Sequence, residues 1–291
     1  MSRIKIKDLR IKMNDTAREY LSYWKFIIPL LKVKKTIKTD EVMWGNKDQY
    51  FLYFPAAGVK KDKLIIYIHG GGWNSHSPKQ DFYIGQNIAM QGYDCFMPGY
   101  RKTPKYRYDD IIDDIFKDYV GIKAYVKEKG LKYNKVILMG SSAGAHLSAV
   151  LCFDKAMQEK YGISEDEFNG LLVMAGPLCF DYEKTGTEKA LLKYLFGSKD
   201  VKDWKKGEPY SMLYAKENFK LGMIHSRHDG LLGWDQAQAF CDKALELGIP
   251  GKIYEVKDAW NTHSAYCSGV FLKTREESDT LDTAYKMLEE M

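Results

Sequence analysis

Two short glycine-rich stretches hold side chains and backbone that could do chemistry. Gly140-Ser141-Ser142-Ala143-Gly144 lies between the strand-like run KVILMG and the helical run AGAHLSAVLCF. A serine nucleophile has to project from a tight strand-to-helix turn, and small residues beside it let the backbone close. The following helix turns its N-terminal amides toward any negative charge that develops next to Ser142. The pattern alone is weak, arising by chance about 0.1 times in a chain of this composition. Its placement between strand and helix gives it weight. His69-Gly70-Gly71-Gly72-Trp73 directly follows the run KLIIYI. Glycines there leave backbone N–H groups free to converge on a substrate oxygen. A phosphate loop would end in Gly-Lys-Ser or Gly-Lys-Thr, whereas this one runs into Trp73 and Asn74.

A serine nucleophile needs a base, and six histidines compete for that role. His69 belongs to the glycine loop, where its ring braces the turn. His76 follows the same loop and precedes the nucleophile. His146 lies one helical turn beyond Ser142 and points away from it. His225 and His228 end the strand that should deliver an acid. They are three apart, but no further ligands are placed to complete a metal site, and none is expected. His263, in Trp260-Asn261-Thr262-His263-Ser264, follows the last strand, and its loop can carry an imidazole over the sheet's C-terminal edge. Asp229, in the loop after the preceding strand, is the acid expected to orient it. Asp235 reads as a helix N-cap, and Asp258 lies between the last strand and His263.

The elements needed to position these groups are legible as alternating apolar runs. Strand-like stretches fall around Val33–Met43 and Gln49–Phe54, then at Lys63–His69, Tyr93–Pro98, Lys135–Gly140, Gly170–Ala175, Leu221–His225 and Lys252–Val256. Helical spacing covers Asp81–Gln91, Tyr108–Lys129, Ala143–Phe153, Asp235–Leu247 and Thr274–Glu290. Continuous apolar strands such as KLIIYI suit a parallel sheet covered on both faces. The stretch from Gly176 to Lys220 is too long for a simple connection and reads as a cap-like insertion. Its aromatics Trp204, Tyr210 and Tyr214 either line an acyl pocket or pack the insertion. Ahead of the sheet, Ala17, Tyr20, Leu21, Trp24, Ile28 and Leu31 form a helical stripe with Asn14 or Asp15 as cap, and Pro29 bends or ends that helix.

Composition excludes several classes. The chain has 291 residues, 45% apolar and 29% charged, the balance of an ordinary globular protein. One domain spanning 1–291 is expected. Five scattered cysteines without a Cys-x-x-Cys pair argue against a disulfide scaffold and for a reducing compartment. No run of 18 apolar residues and no signal-peptide pattern is present, so no membrane span is expected and the cytoplasm is the expected location. The net charge of +5 is uneven. Residues 1–38 carry eleven Lys or Arg against three Asp or Glu, which leaves the remainder at −3. Only the leader is basic, so nucleic acid is not an expected partner. That leader either docks its stripe on the body with its lysines in water or lies on an anionic membrane surface.

From about residue 40 onward the chain resembles the α/β-hydrolase superfamily, and within it the esterase and lipase group with an HGGG-type loop: hormone-sensitive-lipase-like esterases, small acetylesterases and kynurenine formamidase. The residues that carry the resemblance are His69-Gly70-Gly71-Gly72-Trp73, Tyr100-Arg101 followed by Asp109, Asp110, Asp113 and Asp114, Ser142-Ala143-Gly144-Ala145-His146-Leu147, His228-Asp229 and His263-Ser264. The order Ser142…Asp229…His263 is the one this superfamily uses. The resemblance implies an eight-stranded, mostly parallel sheet with helices on both faces and a short cap. It also implies an oxyanion hole from the N–H groups of Gly71, Gly72 and Ala143, with Trp73 and Ser141 facing substrate. Two departures leave the subgroup open: Ser141 replaces the usual Asp, Glu, Gly or His, and Gly230-Leu231-Leu232 follows the acid.

The function expected from this is hydrolysis of short-chain carboxylic esters through an acyl-enzyme, with no cofactor and a small-molecule ester as partner. An arylformamidase or other amidase could use the same triad. A ligand receptor on a dead hydrolase would normally lack a triad member, and all three are present here.

Overall fold

In the computed structural model, residues 16–21, 23, 25, 27–182, 185–257 and 262–291 are described. Eight strands form one sheet: β1 (Asp40–Met43), β2 (Tyr50–Phe54), β3 (Lys63–Ile68), β4 (Asp94–Pro98), β5 (Lys135–Ser141), β6 (Gly170–Met174), β7 (Lys220–His225) and β8 (Gly251–Glu255). Their spatial order is β1-β2-β4-β3-β5-β6-β7-β8. The β1–β2 and β2–β4 pairs are antiparallel and every later pair is parallel. The strand expected over Val33–Met43 is confined to its last four residues.

The continuous apolar runs have a simple physical origin. Along β3, Leu64, Ile66 and Ile68 join one buried cluster, while Ile65 and Tyr67 join another on the opposite face. A strand alternates its side chains between faces, so both sets must be apolar when both faces are covered. The first face is covered by α2 (Tyr108–Glu128), α3 (Ala143–Phe153) and α8 (Trp234–Glu246). The second is covered by α1 (Phe82–Met90) and α10 (Asp279–Glu290). This is the α/β-hydrolase fold.

Between β6 and β7 lie α5 (Gly186–Phe196), α6 (Val201–Trp204) and α7 (Pro209–Met212), and α4 (Lys155–Tyr161) precedes β6. The C-terminal helix starts later than the sequence spacing indicates. The short helix α9 (His263–Cys267) and a 3₁₀ turn (Gly269–Leu272) come before it. Asp235 is an exposed residue in the first turn of α8, whose N-cap is Gly233, so the expected capping role is not there. The Tyr100-Arg101 motif is structural: Arg101 Nε donates to both oxygens of buried Asp114, which locks the end of β4 onto α2.

The N-terminal helical segment (residues 16–21 and 27–30) ends just past Pro29, and the described residues of its apolar stripe do not dock on the body. Tyr20, Leu21 and Leu31 are 62%, 74% and 81% exposed. Trp24, Asn14 and Asp15 lie outside the described residues. The segment instead turns buried Glu19 and half-buried Thr16 inward. All five cysteines are buried and unpaired. Among the described residues, no helix is long and apolar enough to cross a membrane.

Candidate active site

Ser142 sits between the end of β5 and the start of α3, with φ 52° and ψ −122°. A non-glycine residue rarely adopts this conformation, which costs roughly 1–3 kcal/mol unless its surroundings impose it. Here they do. Ser142 N donates to Met174 O at 2.9 Å, and the N–H groups of Ala145 and His146 return to Ser142 O. The two glycines of the motif are required by close approach. A Cβ on Gly144 would stand 2.0 Å from Ile68 O, and one on Gly140 would stand 2.4 Å from Gly144 O.

The glycine loop is braced from below. His69 Nδ1 donates to Gly70 O at 2.8 Å, and its ring stacks on Tyr100 with centroids 4.4 Å apart. Tyr100 Oη donates to both His69 O and Gly70 O. Burial holds the His69 pKa well below its ordinary value. Gly71 and Gly72 both have positive φ, 101° and 57°. Gly72 and Ala143 line a cavity beside Ser142, and Ala143 opens α3, where backbone N–H groups have no carbonyl partner within the helix. The Gly71 carbonyl accepts from Ser75 N and Ser75 Oγ, which closes the turn of the loop.

Asp229 and His263 meet as the sequence indicates. His263 Nδ1 donates to Asp229 Oδ2 at 2.7 Å, and both side chains are buried. The carboxylate also accepts from Tyr266 Oη at 2.5 Å and, through Oδ1, from the N–H groups of Leu231 and Leu232 at 2.8 Å. Burial alone would raise the Asp229 pKa. The charge and hydrogen bond of His263, with the Tyr266 hydroxyl, outweigh it and bring the pKa down to about 2. Burial would likewise lower the His263 pKa, but the charge and hydrogen bond of Asp229 dominate and raise it, with Glu19 and Glu188 adding to the effect. By contrast, burial depresses His146 to about 4 and also lowers His225. His146 Nε2 donates to Gly207 O, and His225 Nε2 meets Leu232 O, so both serve as local ties. The rival acid Asp258, with Trp260 and Asn261, lies outside the described residues.

Ser142 and His263 line one cavity with Gly72, Trp73, Ala143, Leu191 and Glu188. Its whole empty space, mouth included, is about 330 Å³. Trp73 is at the cavity as expected, edge-on to His146 at 5.3 Å. Ser141 is not. Its Oγ pairs with Tyr67 Oη at 2.7 Å on the face covered by α1 and α10, because successive strand residues face opposite ways. Trp204 and Tyr214 pack into the protein: Trp204 Nε1 donates to Ser198 O, and Tyr214 stands edge-on to Phe153. The sequence reading missed Tyr266, Glu188 and Glu19. Tyr266 had a signal, since it stands one helical turn after His263 and therefore on the same helix face. Among the described residues, one group, Cys179, Asp181 and Glu208, has metal-ligand spacing, but Lys205 Nζ already pairs with both carboxylates at 2.7 and 2.8 Å.

Comparison with known proteins agrees with this fold. The solved structure of esterase B from Lactobacillus rhamnosis superposes with a TM-score of 0.76 at 17% identity, covering 98% of this chain and 95% of that one. Thermogutta terrifontis esterase 2, solved in its sarin-phosphonylated form, gives 0.71 at 18% identity, over 89% and 96% of the two chains. In sequence, the probable carboxylic ester hydrolase LipM of Mycobacterium tuberculosis is 23% identical across 66% of this chain and 47% of its own length. Kynurenine formamidase of Danio rerio is 30% identical across 49% and 47%. The match spans less than half the length of these two curated relatives. Residues 51–243, which include Ser142 and Asp229 but not His263, match the BD-FAE family. The chain therefore belongs to the BD-FAE family, within the esterase and lipase group of α/β-hydrolases.

Proposed function

We propose that this protein is a serine carboxylic-ester hydrolase that acts on short-chain acyl esters through an acyl-enzyme. The observation that carries the reading is that His263, paired with buried Asp229, lines the same cavity as the strained Ser142. Ser142 Oγ attacks the acyl carbonyl, and His263 Nε2 takes its proton. Asp229 holds Nδ1 protonated and stabilises the imidazolium. The N–H groups of Gly71, Gly72 and Ala143 are the donors for the oxyanion. His263 returns the proton to the leaving alkoxide, then activates a water that hydrolyses the acyl-enzyme at Ser142. Residues 176–220 serve as the cap, with Thr187, Glu188 and Leu191 of α5 forming the cavity's outer wall. The unpaired cysteines fit a cytoplasmic setting.

Formamide hydrolysis is the second reading, favoured by the likeness to kynurenine formamidase. Two measurements test the pair. An alkyl fluorophosphonate should label Ser142, and Ser142→Ala should lose label and turnover by roughly 10³-fold or more while keeping the fold. Label on Ser141, or active protein without label, overturns the assignment. A panel of p-nitrophenyl esters, acetylated sugars and N-formylkynurenine then separates ester from formamide chemistry by kcat/KM.

A further inference from the structure

We propose that Glu19, from the N-terminal helical segment, is a positioning residue that holds the main chain of the base loop and so sets the attitude of His263. The proposal rests on the serine-hydrolase reading. Glu19 lies far outside the family-matched region and 244 positions before His263. It is nonetheless 3% exposed. Its Oε2 accepts from His263 N at 2.5 Å, and its Oε1 accepts from Ser264 N at 2.9 Å.

The geometry explains why a carboxylate is needed there. Helix α9 begins at His263, and its N-cap, Thr262, makes no side-chain capping bond. The first N–H groups of a helix have no partner within it. Leaving them buried and unmet would let the start of the helix shift, and the imidazole would shift with it. One carboxylate with two oxygens meets both, through charge-assisted hydrogen bonds that offset its burial. The same helical turn reaches the other parts of the site. Thr16 Oγ1 donates to Gly230 O at 2.8 Å, beside Asp229. Tyr20 Oη pairs with Thr187 Oγ1 at 3.3 Å, on the helix that walls the cavity. Base loop, acid loop and cap thus share one tie.

A second consequence follows from charge. The groups facing His263 are the Asp229 carboxylate, the Tyr266 hydroxyl, the His225 ring, and the carboxylates of Glu19 and Glu188. The Glu19 charge favours the imidazolium, so removing it lowers the pKa of the base. The base acts when neutral, and the acid limb of kcat/KM then moves to lower pH.

The test uses the full chain with p-nitrophenyl acetate, counting active sites by fluorophosphonate titration so that only folded enzyme is scored. Glu19→Gln and Glu19→Ala should lower kcat per site by about 10- to 100-fold, as a misplaced catalytic group does. KM should stay within about twofold, since Glu19 does not line the cavity. In Glu19→Gln the acid limb should also move to lower pH. Leu21→Ser, on the exposed side of the same helix, should change none of these. A Glu19→Gln enzyme with wild-type kcat and acid limb overturns the proposal, even if its thermal midpoint falls, because Glu19 is then only a structural tie. Wild-type protein that neither turns over the esters nor takes the label overturns the serine-hydrolase reading instead, and this proposal with it.

Discussion

The His263 ring sits among groups that pull its pKa in opposite directions, and the winner decides how the protein should respond to pH. Desolvation favours the neutral ring, but Asp229 at 2.7 Å favours the imidazolium more strongly. A base with a raised pKa is protonated over a wider range, so kcat/KM should climb along an acid limb centred above about 6.5, the ordinary histidine value. A limb centred below that value would mean that burial wins. The same balance makes Asp229→Asn informative. It should cut kcat by up to roughly 10⁴-fold, because the imidazole is then held in the wrong tautomer. It should also cost about 1–3 kcal/mol of stability, since the buried carboxylate accepts four hydrogen bonds and an amide cannot replace them all. Asp235→Asn should change neither quantity, because Asp235 is exposed and caps nothing. Steady-state kinetics and thermal melts on the two variants check the assignment, and a reversed result would move the acid elsewhere.

Contacts between neighbouring elements, more than any one side chain, keep Ser142 in its strained conformation. Helix α3 crosses so close to the end of β3 that Gly144 lies against the backbone of Ile68 and His69. Gly144→Ala would drive a methyl group into two carbonyl oxygens that cannot move without displacing β3. It should therefore abolish soluble expression or lower the thermal midpoint by more than the few degrees typical of a surface change. A stable, active alanine variant would show that strand and elbow can separate. Helix α9 provides the complementary case. It begins at His263 and ends at Cys267, and one turn brings Tyr266 round to the same carboxylate that His263 uses. Nothing in the apolar spacing of 263–267 announces so short a helix, and the sequence reading placed the next helix eleven residues later, at Thr274.

Taken as a whole, the molecule offers substrate a small space. Leu191, from α5, reaches the cavity. Other large apolar residues of the insertion, Leu192, Leu195, Trp204 and Leu213, are buried in the main core, and Phe196 packs against it. Long acyl chains gain about 0.8 kcal/mol per methylene only where apolar surface receives them, and a cavity of about 330 Å³ gives little of it. We expect kcat/KM to peak between acetyl and butyryl esters and to show no jump above the substrate's solubility limit. A rise through octanoate would mean that the cap opens onto a longer groove.

What was legible in the sequence follows from local rules. Alternating burial on two faces forces continuous apolar strands, the elbow forces glycine on either side of a serine, and strand order then places Ser142, Asp229 and His263 at one sheet edge. These depend on residues near one another in the chain. The identity of His263 as base could be reached by eliminating the other five histidines, because each of those sits in a local context that gives it another use. What only the tertiary structure decided involves partners far apart. Ser141 turned out to face Tyr67 rather than substrate, because the strand's alternation carries through to its last residue. The described residues of the N-terminal helix's apolar stripe face outward, because the segment is held by Thr16, Glu19 and Tyr20 instead. Glu19 lies beside His263 across 244 positions of chain. A single polar residue in a basic, amphipathic stretch leaves no periodic signal, and the carboxylate acquires its role only when folding buries it against the backbone N–H groups of His263 and Ser264.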